Sequence, residues 1–119
     1  AGCALAGAGI PYVFALQPTL PVSEKPLTEY EAAFLQADWV EYFRHAYRLI
    51  HEALAVRESQ DFGFIDLASV FDEAGATEQI FLDSFHFGDR GNRLLAEALY
   101  QELARRALLR PGAAPPSCF

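Results

Sequence analysis

Tyr12-Val13-Phe14-Ala15-Leu16, closed by Gln17-Pro18, is apolar at every one of its positions. A short run without polar alternation fits a central strand of a parallel sheet, covered on both faces. Upstream, residues 1–8 read as the tail of a helix, with Gly7 or Gly9 as its left-handed stop. Downstream, residues 17–27 contain Pro18, Pro21 and Pro26 and form a loop. Thr28-Glu29-Tyr30-Glu31 then has the spacing of a capping box, in which Thr28 accepts from the Glu31 amide and Glu31 reaches back. One long helix is expected from there to about Arg57. Val40, Phe43, Tyr47, Ile50 and Leu54 recur along it at helical spacing. Trp39, Tyr42, Ala46, Leu49 and Ala53 form an adjacent stripe, which makes the expected buried face broad.

Phe62-Gly63-Phe64-Ile65-Asp66-Leu67 is the second strand. A polar, glycine-containing loop follows over residues 72–77, then Ile80-Phe81-Leu82-Asp83-Ser84-Phe85-His86-Phe87. A final helix is expected from about Asp89, its N-cap, to Leu109, with Leu95, Leu99 and Leu103 turned inward. Arg105, Arg106 and Arg110 suit the negative end of its dipole. Residues 111–119 are a Pro/Ala-rich tail. Two strands separated by a helix pair in parallel through a right-handed crossover, so the chain is α/β. Two strands are few for such a sheet. The expectation is therefore a partial domain over residues 1–110, with its N-terminal half absent.

The totals narrow the partners. At 119 residues, 52% hydrophobic and 21% charged, the chain has the size and balance of one globular domain. A net charge of −7 disfavours nucleic acid, whose phosphates attract a basic stripe. The bases Arg44, Arg48, Arg57, Arg90, Arg93, Arg105, Arg106 and Arg110 are interleaved with acids and read as solvated faces. Residues 1–23 carry no charge, but Pro11, Pro18 and Pro21 interrupt them and no basic leader precedes them, so no membrane span is expected. Cys3 and Cys118 lie near opposite ends without ligand spacing, and they assign neither a disulfide nor a compartment. His45 and His51 are six apart on a helix and share no face, so no metal or other cofactor is expected.

The chemistry concentrates at Asp83-Ser84-Phe85-His86. A carboxylate three residues before a histidine can accept from one ring nitrogen, fix the tautomer and stabilise the imidazolium, leaving the other nitrogen to take a proton. Asp-x-x-His by itself reads first as a turn cap beside an incidental histidine. The flanks add context: Phe81-Leu82-Asp83-Ser84-Phe85-His86-Phe87-Gly88-Asp89-Arg90-Gly91-Asn92-Arg93-Leu94-Leu95-Ala96-Glu97-Ala98-Leu99. This block resembles the last conserved block of the SGNH/GDSL esterase–lipase superfamily, where Asp-x-x-His is followed by a short polar turn, Gly-Asn and an aliphatic helix. Phe64-Ile65-Asp66-Leu67 is similar to that fold's final strand, and Tyr12–Leu16 to the strand before it.

The resemblance implies the C-terminal strand-helix-strand-helix part of a flavodoxin-like three-layer α/β/α sheet. It implies His86 as general base, Asp83 as its orienting partner, and Gly91 and Asn92 as structure at the helix start. It further implies ester hydrolysis on a small-molecule ester or acylated carbohydrate. The family's Gly-Asp-Ser block, its following Gly and its Gly-x-Asn-Asp block have no counterpart here, nor is there a Gly-x-Ser-x-Gly elbow. The nucleophile and most of the oxyanion stabilisation are therefore missing from the chain. Ser23, Ser59, Ser69, Ser84 and Ser117 are the local alternatives, and Ser84 should point away from His86. Gln17, at a strand end, could line a substrate pocket or be a buried amide bonded to backbone, and Asp66 reads as a strand-end cap. A second function class stands beside the hydrolase: a non-catalytic α/β binding or assembly module, pairing through an exposed sheet edge as a homodimer or with a missing N-terminal half.

Overall fold

A computed structural model of the chain describes residues 2–59 and 62–108. Ser117, Cys118, Arg110 and the expected tail lie outside the described residues, so the 1–110 boundary does as well. The element order is α1 (Gly2–Gly7), β1 (Tyr12–Leu16), α2 (Glu29–Ala32), α3 (Ala37–Ala55), β2 (Phe62–Asp66) and α4 (Asp89–Arg105). Gly9 is the residue that stops α1. It sits at φ 67°, and the Ile10 amide reaches back to the Leu5 carbonyl at 2.9 Å.

β1 and β2 pair in parallel, with Tyr12 opposite Phe62 and Leu16 opposite Asp66. Adjacent β2 residues project to opposite faces. The Phe64 ring meets His51 of α3 at 5.6 Å, while a Cβ at Gly63 would lie 3.2 Å from the guanidinium of Arg106, the C-cap of α4. α3 and the end of α4 therefore flank the strand pair on opposite faces. The fold is mixed α/β with a two-stranded parallel sheet.

Four sequence expectations need correction. The single helix from Thr28 is two helices. The capping box forms, but α2 ends at Ala32, and Gln36 begins α3 in extended backbone. The reason is tertiary: Phe34 packs on the core, and its carbonyl accepts the Ser84 hydroxyl at 3.1 Å rather than a helical amide. The buried face of α3 is also narrower than expected. Trp39, Val40, Phe43, Ala46, Tyr47, Ile50 and Leu54 are half-buried, whereas Tyr42, Leu49 and Ala53 are exposed. At α4 the N-cap is Gly88, and Asp89 is the first helical residue, where its charge still faces the positive helix end. Finally, β1 is not enclosed. Phe14 and Ala15 are exposed, because β2 is its only neighbour strand among the described residues.

Leu16 of β1 and Phe64 and Ile65 of β2 are buried, and a further core cluster lies in the loops that follow the strands. Leu20 (after β1), Phe71 and Ala74 (after β2) and Ile80 and Phe81 form it, with Leu27, Phe34, Val70, Phe87 and Leu94 packed against them. Phe71 sits edge-on to both Phe81 and Phe87, at 5.4 and 5.2 Å. Among the described residues, no helix is long and apolar enough to cross a membrane.

Candidate active site

Residues 80–88 fold back on themselves. Phe81 and Phe87 form an isolated antiparallel bridge, the Leu82 amide donates to the His86 carbonyl at 2.8 Å, and Gly88 donates to Ile80 at 2.9 Å. Asp83 lies inside this closed loop. Its Oδ1 accepts the backbone amides of Phe85 and His86 at 2.8 and 2.9 Å, an Asx-type turn that fixes the carboxylate locally. The same carboxylate meets His86 Nδ1 at 2.9 Å (Oδ2) and 3.1 Å (Oδ1). The two backbone amides, Phe85 first, and then the imidazole hold the Asp83 carboxyl down at about 2. It is thus ionised at neutral pH, and an ionised acceptor assigns the shared proton to Nδ1. The lone pair then falls on Nε2, which has no partner among the described residues. The His86 side chain is 78% exposed and that of Asp83 45%, so the free nitrogen is open to an approaching group.

Beneath the loop sits a pair that sequence reasoning missed. Glu31 is fully buried with Lys25, whose Nζ lies 2.8 Å from Oε2. Oε2 also accepts the Thr28 amide at 2.9 Å, and Oε1 accepts the amides of Ile80 and Phe81 at 2.8 and 2.9 Å. Burial pushes the Glu31 carboxyl up, but the Lys25 ammonium and three backbone N–H groups together outweigh it and hold it at about 2. The capping box gave half of this. Its Glu does cap α2, yet its other oxygen anchors the chain two residues before Asp83. The available signal was Lys25, the first charged base after a long uncharged stretch, set in a proline-rich loop.

The rest of the loop is pinned to α2 and α3. The Tyr30 hydroxyl donates to the Leu82 carbonyl at 3.1 Å. Phe85 rests against Trp39 and Phe43, with ring centroids 5.6 and 5.4 Å away. Ser84 turns its hydroxyl into the protein toward Phe34, and its carbonyl accepts the Leu20 amide at 3.0 Å. Its side chain therefore faces away from His86, as expected from the turn.

The remaining candidates do not join the dyad. Ser23 donates to Asp72 and Ser59 accepts from the Phe62 amide, while Ser69 is exposed after β2. No described serine hydroxyl bonds His86. Gln17 is exposed rather than buried, and its carbonyl accepts the Tyr47 hydroxyl at 2.8 Å, so the buried-amide reading of this residue is set aside. Asp66 does cap its strand end, through the Ala68 amide at 2.9 Å. It also forms a second Asp–His pair that spacing could not reveal, with His51 Nδ1 at 2.7 Å, on a shallow cleft of about 310 Å³ shared with Arg44 and Tyr47. His45 bonds Arg48 instead, and no cluster of metal-binding side chains occurs among the described residues. Arg106 departs furthest from expectation. It is not solvated: it donates to the Phe64 carbonyl at 2.7 Å and to Glu58 at 2.6 Å.

Set against known proteins, the chain matches no family model, no curated protein and no solved structure.

Proposed function

We propose that the chain supplies the base and its orienting carboxylate to a serine-type ester hydrolase, with the nucleophile contributed from outside residues 1–119. The observation that carries this reading is the Asp83–His86 geometry: Nδ1 held at 2.9 Å by an ionised carboxylate, the opposite nitrogen unpartnered and open. In that role His86 Nε2 removes the serine proton as the hydroxyl attacks an ester carbonyl, and returns it to the leaving alcohol. Asp83 stabilises the imidazolium formed between those steps. The sequence resemblance of residues 81–99 to the SGNH/GDSL block, and with it the three-layer sheet and the acyl-ester substrate class, belongs to the same proposal.

Residues 1–119 alone should then leave a chromogenic short-chain ester such as p-nitrophenyl acetate unhydrolysed beyond the background of free imidazole. Joined to a segment that carries a Gly-Asp-Ser block, the protein should turn the ester over and lose about 10⁴-fold or more in kcat with His86→Ala. Robust turnover by residues 1–119 alone, abolished by His86→Ala, would show that the nucleophile lies within them and overturn the split site.

A further inference from the structure

α2 is a single turn, yet two adjacent residues of it hold three consecutive residues of the chain that leads into Asp83. Glu31 Oε1 accepts the amides of Ile80 and Phe81 at 2.8 and 2.9 Å, and the Tyr30 hydroxyl donates to the Leu82 carbonyl at 3.1 Å. The Glu31 contacts are buried and stabilise the loop. The Tyr30 contact is of another kind. Tyr30 is 48% exposed and Leu82 47%, so water can take the place of the hydroxyl, and the bond adds little to stability.

What the hydroxyl fixes is a direction. A trans peptide is planar, so the Leu82 carbonyl and the Asp83 amide point opposite ways and turn as one unit. At the amide end the His86 carbonyl is 3.5 Å away, the limit of a hydrogen bond, and it already takes the Leu82 amide at 2.8 Å. At the carbonyl end Tyr30 is the one partner among the described residues. Rotation of this plane changes φ of Asp83, and with it the direction in which the carboxylate leaves the backbone. That carboxylate has three partners to meet: the Phe85 and His86 amides at 2.8 and 2.9 Å, and His86 Nδ1 at 2.9 Å. An error at the peptide therefore arrives at the imidazole. The hydroxyl itself stands on a firm support. The Tyr30 ring lies edge-on to Phe34 at 5.1 Å, and Phe34 packs on the core.

We propose that Tyr30 is a positioning residue for the Asp83–His86 pair, its hydroxyl holding the Leu82–Asp83 peptide in the orientation that aims the carboxylate at Nδ1. The inference rests on the reading of His86 as a base. Tyr30 bonds neither side chain of the pair, and acts through the peptide that precedes Asp83.

Tyr30→Phe removes the hydroxyl and keeps the ring on Phe34. Tyr42→Phe is the control, since Tyr42 is exposed and its hydroxyl bonds nothing among the described residues. Amide hydrogen exchange, read residue by residue by NMR on residues 1–119, follows the loop. In Tyr30→Phe the Phe85 and His86 amides should exchange about 2- to 10-fold faster, the range for one lost hydrogen bond, while Ile80 and Phe81 keep their rates. A purely stabilising hydroxyl would speed Ile80 and Phe81 as much, because Glu31 lets them open only with the whole fold. The imidazole nitrogen spectrum of neutral His86 should show the proton on Nδ1 in the wild type and move toward the other tautomer in Tyr30→Phe. Tyr42→Phe should change neither readout. A wild-type ring protonated on Nε2 would overturn the base reading, and this inference with it. With the Nδ1 proton in place, three results overturn the role of Tyr30 alone: unchanged exchange at Phe85 and His86, equal acceleration at Ile80 and Phe81, or a tautomer that stays as in the wild type. Loss of the fold in Tyr30→Phe would make the hydroxyl structural and overturn it as well.

Discussion

At Glu31 a single carboxylate answers four donors: Lys25 Nζ and the amides of Thr28, Ile80 and Phe81. Losing one member of a buried ion pair typically costs about 3–5 kcal/mol, because the remaining charge has no water to turn to. Glu31 also satisfies three backbone N–H groups, so its loss and that of Lys25 are not equivalent. Glu31→Leu should destabilise more than Lys25→Met in urea unfolding, and equal effects would sink this ranking. The pH dependence follows from the sign of the shift. A Glu titrates near about 4.3 when unfolded, and Glu31 is held at about 2 when folded. Its stabilisation is therefore complete above the unfolded value and lost as pH falls through about 4 toward 2. Asp83, also held at about 2, acts over the same window. Urea midpoints measured from pH 6 to 2 should fall across that interval in the wild type. In Glu31→Gln the fall should be shallower, since the buried carboxylate among those held below their unfolded values is gone.

Among the elements, the start of α4 shows how tightly the dyad loop and its following helix are joined. Gly91 is buried in the first turn of α4, where an added Cβ would lie 2.8 Å from Phe87 Cβ and 3.0 Å from Ile80 Cγ2. Neither neighbour is a flexible chain end. Gly91→Ala gains helix propensity of just under about 1 kcal/mol, but the overlap should outweigh it and destabilise the protein by about 1–3 kcal/mol. A raised thermal midpoint in this variant would contradict that packing. The Asp83–His86 contact and Gly91 at the start of α4 are local, within a dozen residues, yet the spacing alone reads as a turn cap, and it is the resemblance of residues 81–99 that singled them out. The strands and the capping box at Thr28 were legible because their patterns are local. The break between α2 and α3 was not, because Phe34 and Ser84, 50 residues apart, take the place of the helical bond. Nor was the role of Arg106, which periodicity assigned to a solvated helix end but which turns back onto β2, 42 residues earlier, to cap its edge. Hydrogen bonds across such separations leave no spacing to read.

Over the whole molecule, the most enclosed packing is not where an α/β fold ordinarily keeps it. Leu20, Phe71, Ile80 and Phe81 are nearly inaccessible, while Phe14 on β1 is 47% exposed. The loops beyond the strands therefore carry the most inaccessible cluster, beside buried Leu16 of β1 and Phe64 and Ile65 of β2. Local stability should follow burial and bonding. In native-state hydrogen exchange at low protein concentration, the amides of Ile80 and Phe81, bonded to buried Glu31, and of Leu20, bonded to Ser84, should exchange most slowly. The inward amides of β1 and β2 should be intermediate, and the outward amides of Val13 and Ala15 fast. A sheet that outlasts the Leu20–Phe81 cluster would refute this order. The order bears directly on chemistry. Asp83 and His86 stand on the slow-exchanging side of the molecule, with the carboxylate fixed by two backbone amides and the loop fixed by Glu31, Tyr30 and Phe85. In the role proposed for it, a proton acceptor held this way would spend little free energy on reorganisation when a reacting group arrives, which is the condition for a preorganised base.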